Sequence, residues 1–480
     1  MLGTPSFITA FKGGYQVLSD KLIKQILQVA LEGGGDFAEI YFEDSISNAM
    51  TLENSRIERV KTGYDLGVGV RVLTGDKVSY AYTDDLTKES LLQVAKVAGA
   101  ASRGSSKASV MDLTKGTVNL IHPIKVRPEE IEKAKKAAIM ERANKAALDY
   151  DDSIRQVMVS YFDTTQKVII ANSEGLYVED ERIHTRMMVR AVASDGKSMQ
   201  TGSEGPGLHM GFELFDKYPP EEIGREAARQ AVTMLKADPA PSGKIPVVIN
   251  NGFGGVLFHE ACGHGMEADA IQKNSSVFAG KVGEQVASKL VTAVDDGTVL
   301  NAWGSYGVDD EGHQAQRNVL IKDGILQDYM YDLKAARKEG RVSTGSGRRE
   351  SYQAIPIPRM TNTFIEKGES KPEEIIAAVD NGLYAKKLSG GQVETATGEF
   401  IFTVAEGYLI KNGKLAEPVK GASLIGRGID VLNKIVMIGD DLKLAPGMCG
   451  KAGQSVPAAV GQPTLLVEEI TVGGTERGES

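Results

Sequence analysis

Cysteine, tryptophan and histidine are scarce in this chain: two, one and six among 480 residues. Two cysteines, Cys262 and Cys449, can make at most one bridge, a weak frame for so long a chain. They are better read as reduced thiols serving metal, catalysis or packing, in a cytosolic protein. Long apolar runs are missing too. No stretch approaches 18 apolar residues, which argues against a membrane-spanning helix. Positive charge is not in excess: the net charge is −9 and the pI about 5.4. That leaves no electrostatic footprint for nucleic acid or an anionic membrane. Residues Met1 to Ala10 lack a basic segment followed by an apolar one, so no signal peptide is expected. Fixed-period repeats and low-complexity segments are absent as well. What remains is the composition of an ordinary soluble protein, 41% hydrophobic and 25% charged, long enough for two or three cores.

Periodicity predicts an α+β fold. An amphipathic helix spans Ser19 to Leu31, with Ser19 as its cap and Gly33-Gly-Gly35 as its stop. Strands are expected at 37–43, 49–53, 67–73 and 78–82, with Thr74-Gly-Asp-Lys77 as a hairpin turn. Helices follow at about 87–101, 127–149 and 220–235, and strands at 154–161, 167–172 and 183–193. Lys236 to Gly243 is rich in turn-formers. We place the main boundary there: an N-terminal α+β region over 1–238, with subregions near 18–105 and 125–238, then a mainly β C-terminal domain over 239–480. A strand at 245–250 and the glycine loop Gly252-Phe-Gly-Gly255 lead into a helix in that domain. The loop does not fit a phosphate-binding pattern and reads as a tight turn.

That helix carries the most informative residues, His259-Glu-Ala-Cys-Gly-His264. Two imidazoles can hold zinc, and an adjacent carboxylate can take a proton from an activated water. Two histidines around one glutamate, in a chain with six, are unlikely to meet by chance. Their spacing is i, i+5, which turns the rings roughly 140° apart on a regular helix. A π-bulge or a break near Gly263 is therefore expected. The third ligand stays open on local grounds: Glu267, Asp269 and Cys449 are candidates. Cys262 reads as packing, with a nucleophile as the alternative. His313 follows three acids, Asp309-Asp-Glu311. That cluster reads as a solvated turn rather than a second metal site. Arg348-Arg-Glu-Ser-Tyr352 and the Pro-rich segment Pro356 to Thr363 read as surface loops, or as loops whose arginines face a peptide carboxylate or oxyanion.

These blocks occur in the order seen in a known family. His259-Glu-Ala-Cys-Gly-His264 resembles an H-E-x-x-x-H motif. It is joined by Asp309-Asp-Glu-Gly312, Pro356-Ile-Pro-Arg-Met-Thr-Asn-Thr363, Gly390-Gly-Gln-Val393 with Thr397-Gly-Glu-Phe400, and Cys449-Gly-Lys-Ala-Gly-Gln454. Over nearly its full length the chain resembles the TldD/PmbA family of zinc peptidases, and its TldD branch more closely. The resemblance implies one zinc ion per chain, held by His259, His264 and Cys449, with Glu260 as general base. It implies hydrolysis of unfolded or extended peptides, including leader peptides and an antitoxin. It also implies a dimer, either with itself or with a PmbA/TldE-like partner. It assigns no role to His313, Arg348 or Arg349, which stand as substrate-binding candidates. The competing readings are a cysteine hydrolase using Cys262 and a non-catalytic binding subunit with a structural metal.

Overall fold

The computed structural model describes residues 18–102, 106–394 and 396–474. The signal-peptide expectation for Met1 to Ala10 lies outside them.

Helix Asp20–Leu31 starts where Ser19 Oγ accepts the Leu22 N–H at 3.3 Å, and it buries Ile23, Ile26, Leu27, Ala30 and Leu31. The strands after it are far longer than hydrophobic alternation foretells. Phe37–Glu53 is one strand, paired throughout with Arg56–Thr74, which turns through Thr74 and Lys77 into Lys77–Thr83. Likewise Ile154–Asn172 absorbs the expected gap between 161 and 167, and Leu176–Ser194 starts well before its expected first residue, 183. The gaps look like loops because their residues are polar, yet polar side chains satisfy one another there. Asn48 Nδ2 donates to Asp163 Oδ1 at 2.9 Å, and Lys136 Nζ meets Asp163 Oδ2 at 2.5 Å. These strands form one sheet in the order 77–83, 56–74, 37–53, 154–172, 176–194. The two N-terminal subregions therefore share a sheet, through the antiparallel pairing of Phe37–Glu53 with Ile154–Asn172. Helix Pro220–Leu235 matches its expected range, whereas the helix expected at 127–149 is a short turn, Pro128–Glu130, followed by Lys133–Leu148.

The second half is strand-rich. Strands Asn381–Glu394, Gly243–Ile249, Leu465–Gly473, Ser423–Arg427 and Glu399–Lys411 pair in that order, and the last pairs again with the first. They close a barrel. A second sheet ends in the hairpin Gln454–Gln462 and Lys443–Lys451, with Lys443–Lys451 at its edge. One apolar cluster fills this half, including Phe258, Phe402, Leu424 and Val460, with the short helix Val256–Ala261 packed into it.

Charged groups join the halves. Arg71 binds Glu39 at 2.7 Å and Glu311 at 2.6 Å; Arg349 binds Glu39 at 2.5 Å; Arg182 binds Asp310 at 2.6 Å. All of these side chains are buried. This corrects the reading of 309–313 as a solvated turn. A buried acid survives only when paired, and the pairing arginines come from distant strands that local pattern cannot reveal.

Candidate metal centre

The loop before the metal-site helix is shaped by close approach. Gly252 has φ +72°, and a Cβ on Gly255 would lie 2.4 Å from the backbone carbonyl of Gly461. Bare backbone there lets Gly252–Gly255 seat directly on strand Gln454–Gln462. The helix Val256–Ala261 then carries His259 and Glu260. It ends at Cys262, with φ −131° and ψ −48°, and the chain continues as the 3₁₀ turn Gly263–Met266. The expected irregularity is thus a break one residue before Gly263, not a π-bulge. Gly263 provides space rather than a positive φ: a Cβ there would lie 2.3 Å from Met360 Sδ, so the Met360 side chain would have to shift.

The break turns both imidazoles toward one sulfur. His259 Nε2 lies 3.3 Å from Cys449 Sγ, and His264 Nε2 lies 3.4 Å from it. The rings stand at 84° with centroids 5.3 Å apart. Burial opposes ionisation of the Cys449 thiol, but His259 and His264 overcome it and draw the thiol down to about 4. Two ligands on one tetrahedral zinc, at bond lengths of about 2.0–2.3 Å, stand about 3.5 Å apart. The donor set therefore fits such an ion. Glu260 Oε2 lies 3.8 Å from His264 Nε2, with its side chain 37% exposed. It flanks the donors on the open side.

Glu267 and Asp269, weighed as ligands from their proximity in sequence, stand behind the donors. Glu267 Oε2 accepts from His264 Nδ1 at 2.9 Å and from Lys451 Nζ at 2.9 Å. Burial would raise the Glu267 carboxyl, yet His264 and Lys451 hold it at about 2. Lys451 also meets Asp269 Oδ1 at 2.6 Å and the Pro358 carbonyl at 3.1 Å. Arg359, fully buried, donates to the carbonyl of Cys449 itself. Neither Lys451 nor Arg359 was anticipated behind a ligand; Arg359, on a segment read as a surface or substrate-facing loop, is interior. The available signal for Lys451 was its i+2 spacing from Cys449, which places both on one face of a strand.

Cys262 is fully buried, and burial alone pushes its thiol up. That environment suits packing and opposes a nucleophile. His313, Arg348 and Arg349 are not in the centre. Arg349 is committed to Glu39 and to the Asp310 carbonyl at 2.8 Å. Arg348 donates to the Met360 carbonyl at 2.7 Å and stacks over Tyr306 at 5.2 Å. The loop expected at the surface is interior, which corrects that reading, and both guanidinium groups are engaged by protein atoms. His313 Nδ1 sits 3.6 Å from Asp309 Oδ1. Burial would depress this imidazole, but Asp309, with Glu311 and Glu39, raises it to about 9. This pairing leaves His313 an ion-pair partner of the buried acids. Asp309, Glu311 and His313 bring their donor atoms within 4.8 Å of one another, but protein groups already engage both carboxylates. The Asp309 oxygens accept from the backbone N–H groups of Glu311, His313 and Gly347, and the Glu311 oxygens from Arg71 and Leu333 N–H.

Two imidazoles, a thiolate and a half-exposed carboxylate define a metallohydrolase class of site. Comparison with known proteins agrees. Three family models match in sequence: PmbA/TldA metallopeptidase domain 1 over residues 38–102, the central domain over 126–235 and the C-terminal domain over 242–474. A Haemophilus influenzae relative named Metalloprotease TldD homolog is 41% identical, covering 95% of this chain and 97% of its own. A solved structure from Thermotoga maritima superposes with a TM-score of 0.79 at 26% identity, covering 95% of this chain and all (100%) of that one. TldE from Thermococcus kodakarensis shares the fold, with a TM-score of 0.77 at 20% identity, covering 94% of this chain and 100% of that one. The chain belongs to the PmbA/TldD family of metallopeptidases and falls with the TldD homologs.

Proposed function

We propose that this chain is a zinc-dependent peptidase of extended peptides, with His259, His264 and Cys449 holding one zinc ion and Glu260 acting as general base. The observation that carries this is the convergence of three deprotonatable donors from two distant segments, with Glu260 beside them on the exposed side. When bound, the ion would supply Lewis acidity for a peptide carbonyl and for water. Glu260 Oε2 takes the proton of the attacking water and returns it to the leaving amine nitrogen. His264 keeps its Nε2 lone pair toward the centre because its Nδ1–H donates to Glu267. Thiolate ligation suits zinc.

Extended peptides fit an unpaired strand edge. Strand Asn381–Glu394 pairs with Glu399–Lys411 over its length but with Gly243–Ile249 only at 383–385. Residues 387–394 therefore offer an edge, and at Gly390 a Cβ would meet nothing within 4 Å. We place the peptide there. A dimer, with itself or with a TldE-like partner, and a cytoplasmic setting complete the proposal. Among the described residues no helix is long and apolar enough to cross a membrane.

The test is Glu260→Gln. The variant should bind one equivalent of metal like the parent and cleave an unstructured peptide about 10²–10⁴-fold more slowly. Undiminished turnover at full metal content would remove Glu260 as base.

A further inference from the structure

The metal donors come from two segments with no covalent link nearer than 185 residues. His264 stands on the 3₁₀ turn Gly263–Met266, and Cys449 on the edge strand Lys443–Lys451. Something must hold their register. One ion pair, between buried Glu267 and partly buried Lys451, reaches both. Glu267 Oε2 takes the His264 Nδ1–H at 2.9 Å and the Lys451 ammonium at 2.9 Å. Lys451 is the last residue of the strand that carries Cys449, two positions away. Its three donors are all engaged, by Glu267, by Asp269 and by the Pro358 carbonyl.

We propose that Glu267 and Lys451 are positioning residues that lock the His264 ring and tie it to the Cys449 strand, so that the pair sets metal affinity and geometry. This rests on the metal reading above. The chemistry favours such a role over a purely structural one. Glu267 is wholly buried, and its other oxygen, Oε1, has no partner among the described residues. A buried ion pair stabilises a fold poorly compared with apolar packing. It is, however, what fixes a ligand imidazole: a carboxylate behind Nδ1 selects the tautomer and the ring orientation that point Nε2 at the ion.

The test uses the full chain, loaded with zinc for chelator competition and with cobalt(II) for its ligand-field spectrum. Glu267→Gln and Lys451→Met preserve shape and should each weaken zinc binding about 10–100-fold. Both should also shift the cobalt bands. Lys451→Arg, whose guanidinium can span Glu267 and Asp269, should recover most of the affinity. The double variant Glu267→Gln/Lys451→Met should lose less than the product of the single losses, because both break one connection. Parental affinity and spectrum in both single variants would overturn the proposal, as would strictly multiplicative losses. Cys449→Ser is the reference for the underlying site. If it binds metal like the parent, the metal reading fails; if only it loses metal, the positioning pair fails alone.

Discussion

Cys262 and Cys449 are both buried, yet their surroundings treat them oppositely. Cys262 has only burial acting on its thiol, whereas Cys449 has two imidazoles within 3.4 Å. The contrast gives a direct prediction. Cys449→Ser should lower zinc affinity by at least an order of magnitude, since serine is a harder and far less acidic donor. Cys262→Ser should leave zinc affinity unchanged and cost about 1–3 kcal/mol of stability, for burying a hydroxyl without a designed partner. Chelator competition and urea unfolding separate the two effects. Equal metal retention in both variants would remove Cys449 from the ligand set. At this scale the motif residues His259, Glu260 and His264 were legible, because one short segment holds them. Cys449 became a candidate through its glycine-rich setting and the family resemblance. Lys451 and Arg359 were not: the i+2 spacing puts Lys451 on the strand face of Cys449, but nothing local marks either residue as standing behind a ligand.

The element that makes the candidate site is a helix only six residues long, Val256–Ala261, that stops between the two candidate ligand histidines. The i, i+5 spacing made a regular helix impossible if both rings share an ion, so the irregularity was legible from geometry. Its form was not. Cys262 leaves helical geometry and the chain tightens to 3₁₀ where Gly263 packs against Met360, while Gly255 seats the other end against Gly461. Gly255→Ala should therefore force backbone apart, costing about 1–3 kcal/mol and weakening metal binding with it. Gly450→Ala is the matched control, since a Cβ there meets nothing within 4 Å. Its stability should change by no more than about 0.5 kcal/mol. Thermal melts of both variants check this, and equal melting temperatures would deny the close approach its role. Strands show the reverse limit of legibility. Expected pieces at 37–43 and 49–53 are one strand because polar interior residues find partners across the sheet. Only the neighbouring strands, not the segment itself, supply those partners.

At the scale of the whole molecule, the scarcity of histidine acquires a second meaning. Two of the six lie in the candidate metal centre and His313 on the acid cluster. The other three, His122, His184 and His209, stack where the N-terminal sheet meets the second half, with centroids 4.1 Å and 4.8 Å apart. His122 Nδ1 accepts the Asn301 N–H at 2.9 Å, and His184 Nε2 meets the Trp303 carbonyl at 2.9 Å. Trp303 in turn donates to the carbonyl of Gly447, on the strand of Cys449, at 2.8 Å. The stack thus connects the join between halves to the metal-site strand, through contacts distant in sequence. Burial pushes His122 down to about 4 and His184 to about 3, and it takes His209 well below its usual range. In the unfolded chain each titrates near about 6.5. As pH falls below that value the unfolded state takes up protons that the folded state refuses. The stability these residues provide is therefore complete above about 6.5, declines through the interval below it, and is gone below the folded values. Each contributes a slope of up to about 1.4 kcal/mol per pH unit. His122→Gln keeps an acceptor for Asn301 and removes one titrating group. Its unfolding free energy, measured by urea titration between pH 6 and 4.5, should fall less steeply than the parent's by about that amount. Glu43 and Asp295, which burial raises to about 7 and about 6, act with the opposite sign. They are common to both proteins and cancel in the difference. Parallel slopes would mean that His122 is protonated in the folded state, and that the stack is not the dry, neutral joint its contacts describe.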